Sequence, residues 1–366
     1  MTTQITMKSR LAALAAASSL FVAVVAHTEA LTKMPYDEAL ACVRKVIPST
    51  TYATNDLLPT KESLSAIQPL AEKVKLRVGM PWVLNDEQAP FYNAVANGYF
   101  ADEGLDVELV PGGPGNDHLQ TLAGGSVDVA VIAQGSVIPQ ALTSPTAIKD
   151  IVAVGAILKG APGVLLTIKP ELQGKKLTPA DLEGRVVSAS NPTYIPLMLD
   201  RAGVPVDSVT LTRGGFTPDV LYAGQADFFF GWIFNQTRDI EAKGYKWNGM
   251  MFRDFGFDNY TDVIVMKRDA LDDPQKQDIA KRFLRATYRG LDFLLRNPEK
   301  SAEITVKMST DAPNLTKEQA MFRFTRQEFL VRGDKNADLL AMNADLWDEN
   351  TAILLQYGFM PNVSCK

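Results

Sequence analysis

VKLRVGMPWVLNDEQAPFYNAVANGYFADEGLDVELVPGG, residues 74–113, sets the architecture of the chain. LRVGM (76–80) is a short apolar strand. A loop rich in amides and aromatics follows, then a helical pattern that puts Phe91, Tyr92, Ala94, Val95 and Tyr99 on one face, with Gly98 near its end. LDVELV (105–110) alternates apolar and acidic residues, as a half-exposed strand does, and a Gly-rich loop comes after it. The loop beyond the first strand carries Trp82, Asn85 and Gln88, with Tyr92 just inside the helix. No obvious nucleophile, base or metal-ligating cluster accompanies them. Flat aromatic surfaces and amide hydrogen bonds without reactive chemistry suggest a receptor for a small molecule rather than a catalyst.

The alternation continues outward from this unit. VDVAVIA (127–133) is a continuous apolar run typical of a buried parallel strand, and IVAVGAIL (151–158) and GVLLTIK (163–169) are expected to extend the same sheet. A second series follows: strand RVVSAS (185–190), helix 193–202, strand SVTLTRG (208–214), helix 217–223 and strand ADFFFGW (226–232). YTDVIVMK (260–267) is expected to return to the first sheet, and residues 275–358 read as amphipathic helices. Alternating strand and helix units argue for α/β lobes. Leu122-Ala-Gly-Gly-Ser-Val-Asp128 and Leu221-Tyr-Ala-Gly-Gln-Ala-Asp227 echo one another. Either two common helix–turn–strand units coincide, or the lobes are built alike and the cleft between them is the natural ligand site.

In open parallel sheets ligands bind beyond the carboxyl ends of the strands. Four such ends supply Trp82, Asn85 and Gln88; Gln134 and Ser136; Asn191 and Tyr194; and Trp232, Asn235 and Gln236. None offers His, Cys or Lys at its tip. Trp and Tyr rings stack on a planar ligand, and Asn and Gln present both donors and an acceptor to ring nitrogens and exocyclic amines. An anion would more naturally recruit Arg or a helix N-terminus, and such termini are available at Asn116 and Thr193. Each residue has a plainer role open to it. The tryptophans and Tyr92 suit a core, while Asn85, Gln88, Gln134, Ser136 and Asn191 suit caps and turns.

Other signals bound the function. The chain has 366 residues, enough for two domains, and a formal net charge of −5, which disfavours a nucleic-acid partner. Lys8 and Arg10 precede an apolar run from Leu11 to Ala26, with small residues after it, the layout of a signal peptide over 1–30. The run is shorter than the ~20 residues a membrane span requires. Residues 31–73 form an N-terminal extension broken by prolines, with helical patterns near 36–46 and 60–73. Cys42 and Cys365 are spaced too far apart for a zinc motif; they form either a disulfide or two free thiols. The Gly-rich PGGPGND (111–117) lacks the Lys-Ser/Thr of a P-loop. His118 is the single histidine beyond the signal segment and fits a surface or cleft rim better than a triad. Asp86 and Glu87 are either a solvated pair or a recogniser of positive charge.

NGYFADEGLDVELV (97–110), LAGGSVDVAV (122–131), LTPADLEGRVV (177–187) and YAGQADFFFGW (222–232) together resemble the periplasmic solute-binding proteins of ABC importers, in the family of nitrate, sulfonate, bicarbonate and thiamine-pyrimidine-precursor binders. The resemblance covers roughly 75–300. It implies a two-lobed, type II periplasmic-binding-protein-like α/β fold with a ligand cleft between the lobes. Lobe I would comprise 74–170 plus 259–366, lobe II 171–258, with hinge crossovers near 167–175 and 257–262. It also implies a periplasmic location, a membrane permease as partner, no cofactor and no catalysis. Trp82-x-x-Asn85-x-x-Gln88 followed by Tyr92 is similar to the Trp-x-x-Asn-x-x-His motif of the pyrimidine-precursor branch, with Gln88 in place of His. Trp232-Ile-Phe-Asn235-Gln236 is similar to its aromatic-x-x-Asn-Glu segment, with Gln236 in place of Glu. Eukaryotic pyrimidine synthases that share the fold carry a Cys-rich motif and an active-site histidine, and this chain has neither. The expectation is a binder of a small heteroaromatic ligand, with a small-anion binder as the alternative and a secreted enzyme as a less favoured one.

Overall fold

The computed structural model describes residues 34–113, 115, 118–146, 148–333 and 338–365. The expected signal peptide and the expected helix start at Asn116 lie outside the described residues. Ten strands are present among them: β1 (Val74–Gly79), β2 (Leu105–Val110), β3 (Val129–Ile132), β4 (Ile151–Leu158), β5 (Gly163–Thr167), β6 (Val186–Ala189), β7 (Thr210–Arg213), β8 (Phe228–Trp232), β9 (Asn248–Met251) and β10 (Thr261–Lys267). They form two five-stranded sheets, β2-β1-β3-β10-β4 and β7-β6-β8-β5-β9.

The sheets share one plan. In each, three parallel strands are followed by an antiparallel one and an outer fifth strand. The antiparallel places are filled by exchange, because β5 crosses into the second sheet and β10 returns to the first. The expectation that GVLLTIK continues the first sheet is therefore corrected: β5 pairs with β8 and β9. Both sheets bury their inner strands fully, so the apolar run carried no sign of which sheet it joins. The first passage between sheets runs through 159–162, ahead of the expected 167–175, and the second through 256–260.

The sequence echo is a structural equivalence. Asp128 Oδ2 accepts from the Arg77 amide at 2.8 Å, and the Asp128 amide donates to the Arg77 carbonyl. Asp227 does the same at Val186, with Oδ2 accepting at 2.9 Å. Each aspartate ties the start of a strand, β3 or β8, to its parallel neighbour, at Arg77 within β1 and at Val186 where β6 begins.

Helices cover both sheets. The longest, Pro274–Arg296, begins with Asp273 accepting from the Gln275 and Lys276 amides, and Pro274 takes a position where an amide hydrogen is not needed. Its buried stripe Ala280, Phe283, Leu284, Thr287, Leu291 and Leu294 keeps helical spacing. Gly290 lets it approach helix Ala89–Ala96 so closely that a Cβ there would lie 2.1 Å from the Pro90 carbonyl oxygen.

The N-terminal extension wraps the first lobe. Its helix Tyr36–Val46 matches expectation, whereas the expected 60–73 helix shrinks to Lys61–Ser65. Tyr52 is buried against Trp347, and Ala53 bridges to Ala153, covering the free edge of β4. Helix Ala344–Gln356 sends Trp347 into the core beside β3, β4 and β10, and Ile353 into the core of the other lobe. Cys42 and Cys365 form a disulfide, with Cα atoms 5.3 Å apart, joining the extension to the C-terminal tail.

Candidate functional site

A cleft of ≈ 480 Å³ opens between the lobes. The loop after β1 gives it Trp82 and Glu87, and the end of β3 gives Gln134. The opposite wall comes from Ser190 and Asn191 after β6, Phe216 after β7, and Phe230, Trp232, Asn235 and Gln236 at and beyond β8. These are the carboxyl ends of parallel strands in both sheets, where peptide dipoles and loops face a shared crevice. Its size is that of a small-molecule site. A narrower inner chamber of ≈ 40 Å³ continues toward the two passages between sheets. It shares Gln134, Asn191, Phe230 and Trp232 with the outer cleft and adds Tyr194, Asn259, Thr261 and Asn350.

Aromatic rings dominate the outer cleft. Trp82 of one lobe meets Phe216 of the other edge-on, with centroids 5.5 Å apart. Trp232 lies edge-on to Phe234, with centroids 5.7 Å apart. Gln236 is held rather than free: Oε1 accepts from the Trp232 amide at 2.7 Å, and Nε2 donates to the Phe216 carbonyl at 2.9 Å. It thus fixes both aromatic segments of that wall. Asn191 Oδ1 accepts from the Thr193 amide at 3.1 Å and from its hydroxyl, so this strand end caps itself.

Four expected residues are not among those lining the cleft. The Asn85 side chain accepts from the Glu87 amide, and Gln88 Oε1 accepts from the Asn85 amide at 3.1 Å, forming a capping box at the entry to the helix. Tyr92 is buried in the first lobe, and that burial pushes its phenol up. Ser136 is also buried; its Oγ accepts from the Tyr194 hydroxyl at 3.1 Å, a bond between lobes. Neighbouring backbone amides claim Asn85 and Gln88, the distant Tyr194 claims Ser136, and Tyr92 is taken up in the core of its own lobe. Trp82, Gln134, Asn191, Trp232, Asn235 and Gln236 line the outer cleft, and Tyr194 the inner chamber. Phe216 escaped notice although the strand-end rule applied to SVTLTRG points to it. Asn350 had no local signal, because it arrives on the C-terminal helix.

Behind the Trp82 loop lies a buried charge cluster. Asp86 contacts Arg238 Nη1 at 2.7 Å and Arg323 Nε at 3.1 Å. Arg323 Nη2 is 3.7 Å from Glu87 Oε2, and its guanidinium sits 4.3 Å over the Phe234 ring. Burial pushes the Glu87 carboxyl up despite Arg323, and burial together with the neighbouring Glu87 pushes Asp262 well above the usual carboxylate range. Asp262 holds a left-handed backbone, φ 51°, at the point where the chain re-enters the first sheet. The sequence alternative of a solvated Asp86–Glu87 pair is thus corrected: both are buried, because Arg238 and Arg323 reach them from other elements.

His118 is buried too, packed on Gly79 and hydrogen-bonded to Thr121 Oγ1 and the Pro111 carbonyl, so it is structural rather than a rim residue. Among the described residues no group of three or more His, Cys, Asp or Glu is placed to hold a metal ion, and no helix is long and apolar enough to cross a membrane.

Comparison with known proteins agrees with this geometry. The chain is 24% identical over 245 residues to the formylaminopyrimidine-binding protein of Halalkalibacterium halodurans, covering 65% of this chain and 71% of that one. It is 24% identical over 272 residues to the riboflavin-binding protein RibY of Chloroflexus aurantiacus, covering 72% and 74%. The periplasmic aliphatic sulphonate binding protein SsuA of Escherichia coli has the same fold, with a TM-score of 0.55 at 16% identity over 77% of this chain and 91% of that one. The family model described as NMT1/THI5 like matches residues 85–301, a span that takes in Glu87, the second-lobe wall of the cleft and the exchanged strands, and the chain belongs to that family.

Proposed function

We propose that this chain is the extracytoplasmic solute-binding component of an ABC importer and that its ligand is a small heteroaromatic molecule such as a thiamine pyrimidine precursor. One observation carries the ligand class: aromatic rings from both lobes line the cleft, and the single charged residue among its described lining residues is an acid, Glu87. A sulfonate or nitrate would meet no guanidinium or ammonium there, and the Thr193 amide is already taken by Asn191. A planar ring would instead stack on Trp82 and Trp232, while Gln134 and Asn235 meet its polar edge. The pyrimidine- and flavin-binding relatives support the same class. The described lining residues present aromatic rings and amides, and the relatives are binding proteins, so the reading is capture and release, with a membrane permease receiving the ligand. The expected leader over 1–30 would place the protein outside the cytoplasm.

The test is a thermal-shift and calorimetric screen of the purified chain against aminopyrimidines, lumiflavin, taurine and nitrate. A ligand of the native state raises Tm. Stabilisation by a heteroaromatic, with none by the anions, is expected; a clear response to taurine or nitrate alone would overturn the ligand class.

A further inference from the structure

Arg323 is a cation with no exposed surface, 0% by area. It stands midway along helix Lys317–Arg332, beyond the span that the family model matches, and it does not line the cleft. None of its three guanidinium nitrogens hydrogen-bonds to a described residue. The group is held instead by charge and by a ring face: Nε lies 3.1 Å from Asp86 Oδ1, Nη2 3.7 Å from Glu87 Oε2, and the guanidinium 4.3 Å over Phe234. Buried ion pairs recover little net stability, because desolvation offsets the attraction. Stability of the fold therefore does not account for a charge in this place.

What the three contacts join gives the charge a purpose. Asp86 and Glu87 belong to the loop that carries Trp82 from β1 to helix Ala89–Ala96. Phe234 belongs to the opposite wall, two positions past Trp232, and meets that ring edge-on with centroids 5.7 Å apart. One planar cation thus offers its nitrogens to the first wall and its face to the second. Arg238 supports the same Asp86 carboxylate at 2.7 Å, and its Nη1 donates to the Gln319 carbonyl on the Arg323 helix at 3.3 Å, so the cluster forms where the lobes meet. A ligand that stacks on two rings needs their spacing fixed to within about 0.5 Å. We propose that Arg323 is a positioning residue of the binding site, which sets the spacing of the two tryptophan walls by holding the Trp82 loop through Asp86 and Trp232 through Phe234. The inference rests on the heteroaromatic reading of the cleft, in which a ring stacks on Trp82 and Trp232.

Arg323→Lys keeps a cation beside Asp86 but has no planar face for Phe234, whereas Arg323→Met removes both ties. Each is titrated calorimetrically, well below its Tm, with lumiflavin and with 4-amino-5-hydroxymethyl-2-methylpyrimidine, alone and combined with Trp82→Ala or Trp232→Ala. Arg323→Met should raise Kd about tenfold in the otherwise unaltered chain and by much less beside either tryptophan substitution, because a residue that acts through a ring has nothing to act on once the ring is gone. Arg323→Lys should raise Kd about threefold, a loss that vanishes beside Trp232→Ala and persists beside Trp82→Ala. Should Arg323→Met be too unstable to titrate, since it strands the buried carboxylates, the lysine variant decides alone. A purely structural arginine would lower Tm and leave the Kd of the folded chain unchanged in both variants, and that result overturns the inference. Losses of equal factor in every background overturn it as well, because Arg323 would then act through neither tryptophan. If neither compound binds the unaltered chain, the heteroaromatic reading falls before any variant is compared and takes this inference with it.

Discussion

Trp82 and Gln88 lie six positions apart in one motif, yet their fates diverge. Trp82 stands at the mouth of the cleft against Phe216, whereas Gln88 turns back to cap its own helix. Trp82→Ala should therefore weaken a heteroaromatic ligand about tenfold or more, since a stacked pair contributes about 0.5–1.5 kcal/mol beyond the buried area. Gln88→Ala should act mainly on stability, by about 1 kcal/mol, through the lost cap. Titrating both variants with one ligand separates the two roles. Asp262 offers a second test. Its carboxyl is raised by burial and by Glu87, so its pKa in the folded state exceeds the unfolded value. For an acid this means that acid pH favours the folded form. The destabilisation is absent below the unfolded pKa, about 4, and grows as pH rises toward the folded value. Asp262→Asn cannot ionise and accepts the left-handed backbone readily. Its Tm should exceed the parent's at pH 8, and the gap should close toward pH 4. A gap that widens on acidification would contradict this account. Gln134, read from its place at a strand end, does line the cleft. Asn85 and Ser136, read the same way, do not line it, because a neighbouring amide or a distant tyrosine bonds the side chain first.

At the scale of elements, the chain's strands were legible because apolar runs and Gly turns mark them, and the echo at Asp128 and Asp227 marked the repeat. Sheet membership was not legible. β5 and β10 are both buried apolar strands, and only the short passage at 159–162 decides that β5 leaves the first sheet. Helix packing hides a comparable detail. Gly290 sits inside helix Pro274–Arg296, where glycine is locally unfavourable by about 1 kcal/mol relative to alanine. Its reason is the neighbouring helix, whose Pro90 carbonyl occupies the place of a side chain. Gly290→Ala gains helix propensity but must push backbone apart. A net loss of about 1–3 kcal/mol is expected, read as a lower midpoint in urea with unchanged slope. A gain would show that the two helices can separate freely.

Across the whole molecule, contacts between lobes accumulate around the cleft. Asp86 pairs with Arg238 at 2.7 Å, Arg326 with Glu241 at 2.6 Å, and Tyr194 donates to Ser136 at 3.1 Å. These contacts hold the two lobes against each other in the described conformation. The terminal segments add a strap on the side of the passages. Helix Ala344–Gln356 places Trp347 in one lobe and Ile353 in the other, and Asn350 touches the second passage through the Asp258 carbonyl. Helix Tyr36–Val46 lies on it, and Cys42–Cys365 locks the tail to that helix across a separation of 323 residues. Sequence could name the two cysteines but not their meeting, because proximity of chain ends depends on where both lobes and the last helix finally pack. A bond closing so long a loop restricts the unfolded chain strongly, and native disulfides commonly contribute about 2–5 kcal/mol. Because the strap joins both cores, Cys42→Ser with Cys365→Ser should lower the urea midpoint of a single shared transition. If the bond fastened only the tail, the main transition would stay where it is and only the tail would gain protease sensitivity. Intrinsic fluorescence, which reports Trp347 in one lobe and Trp232 in the other, distinguishes the two outcomes in one titration.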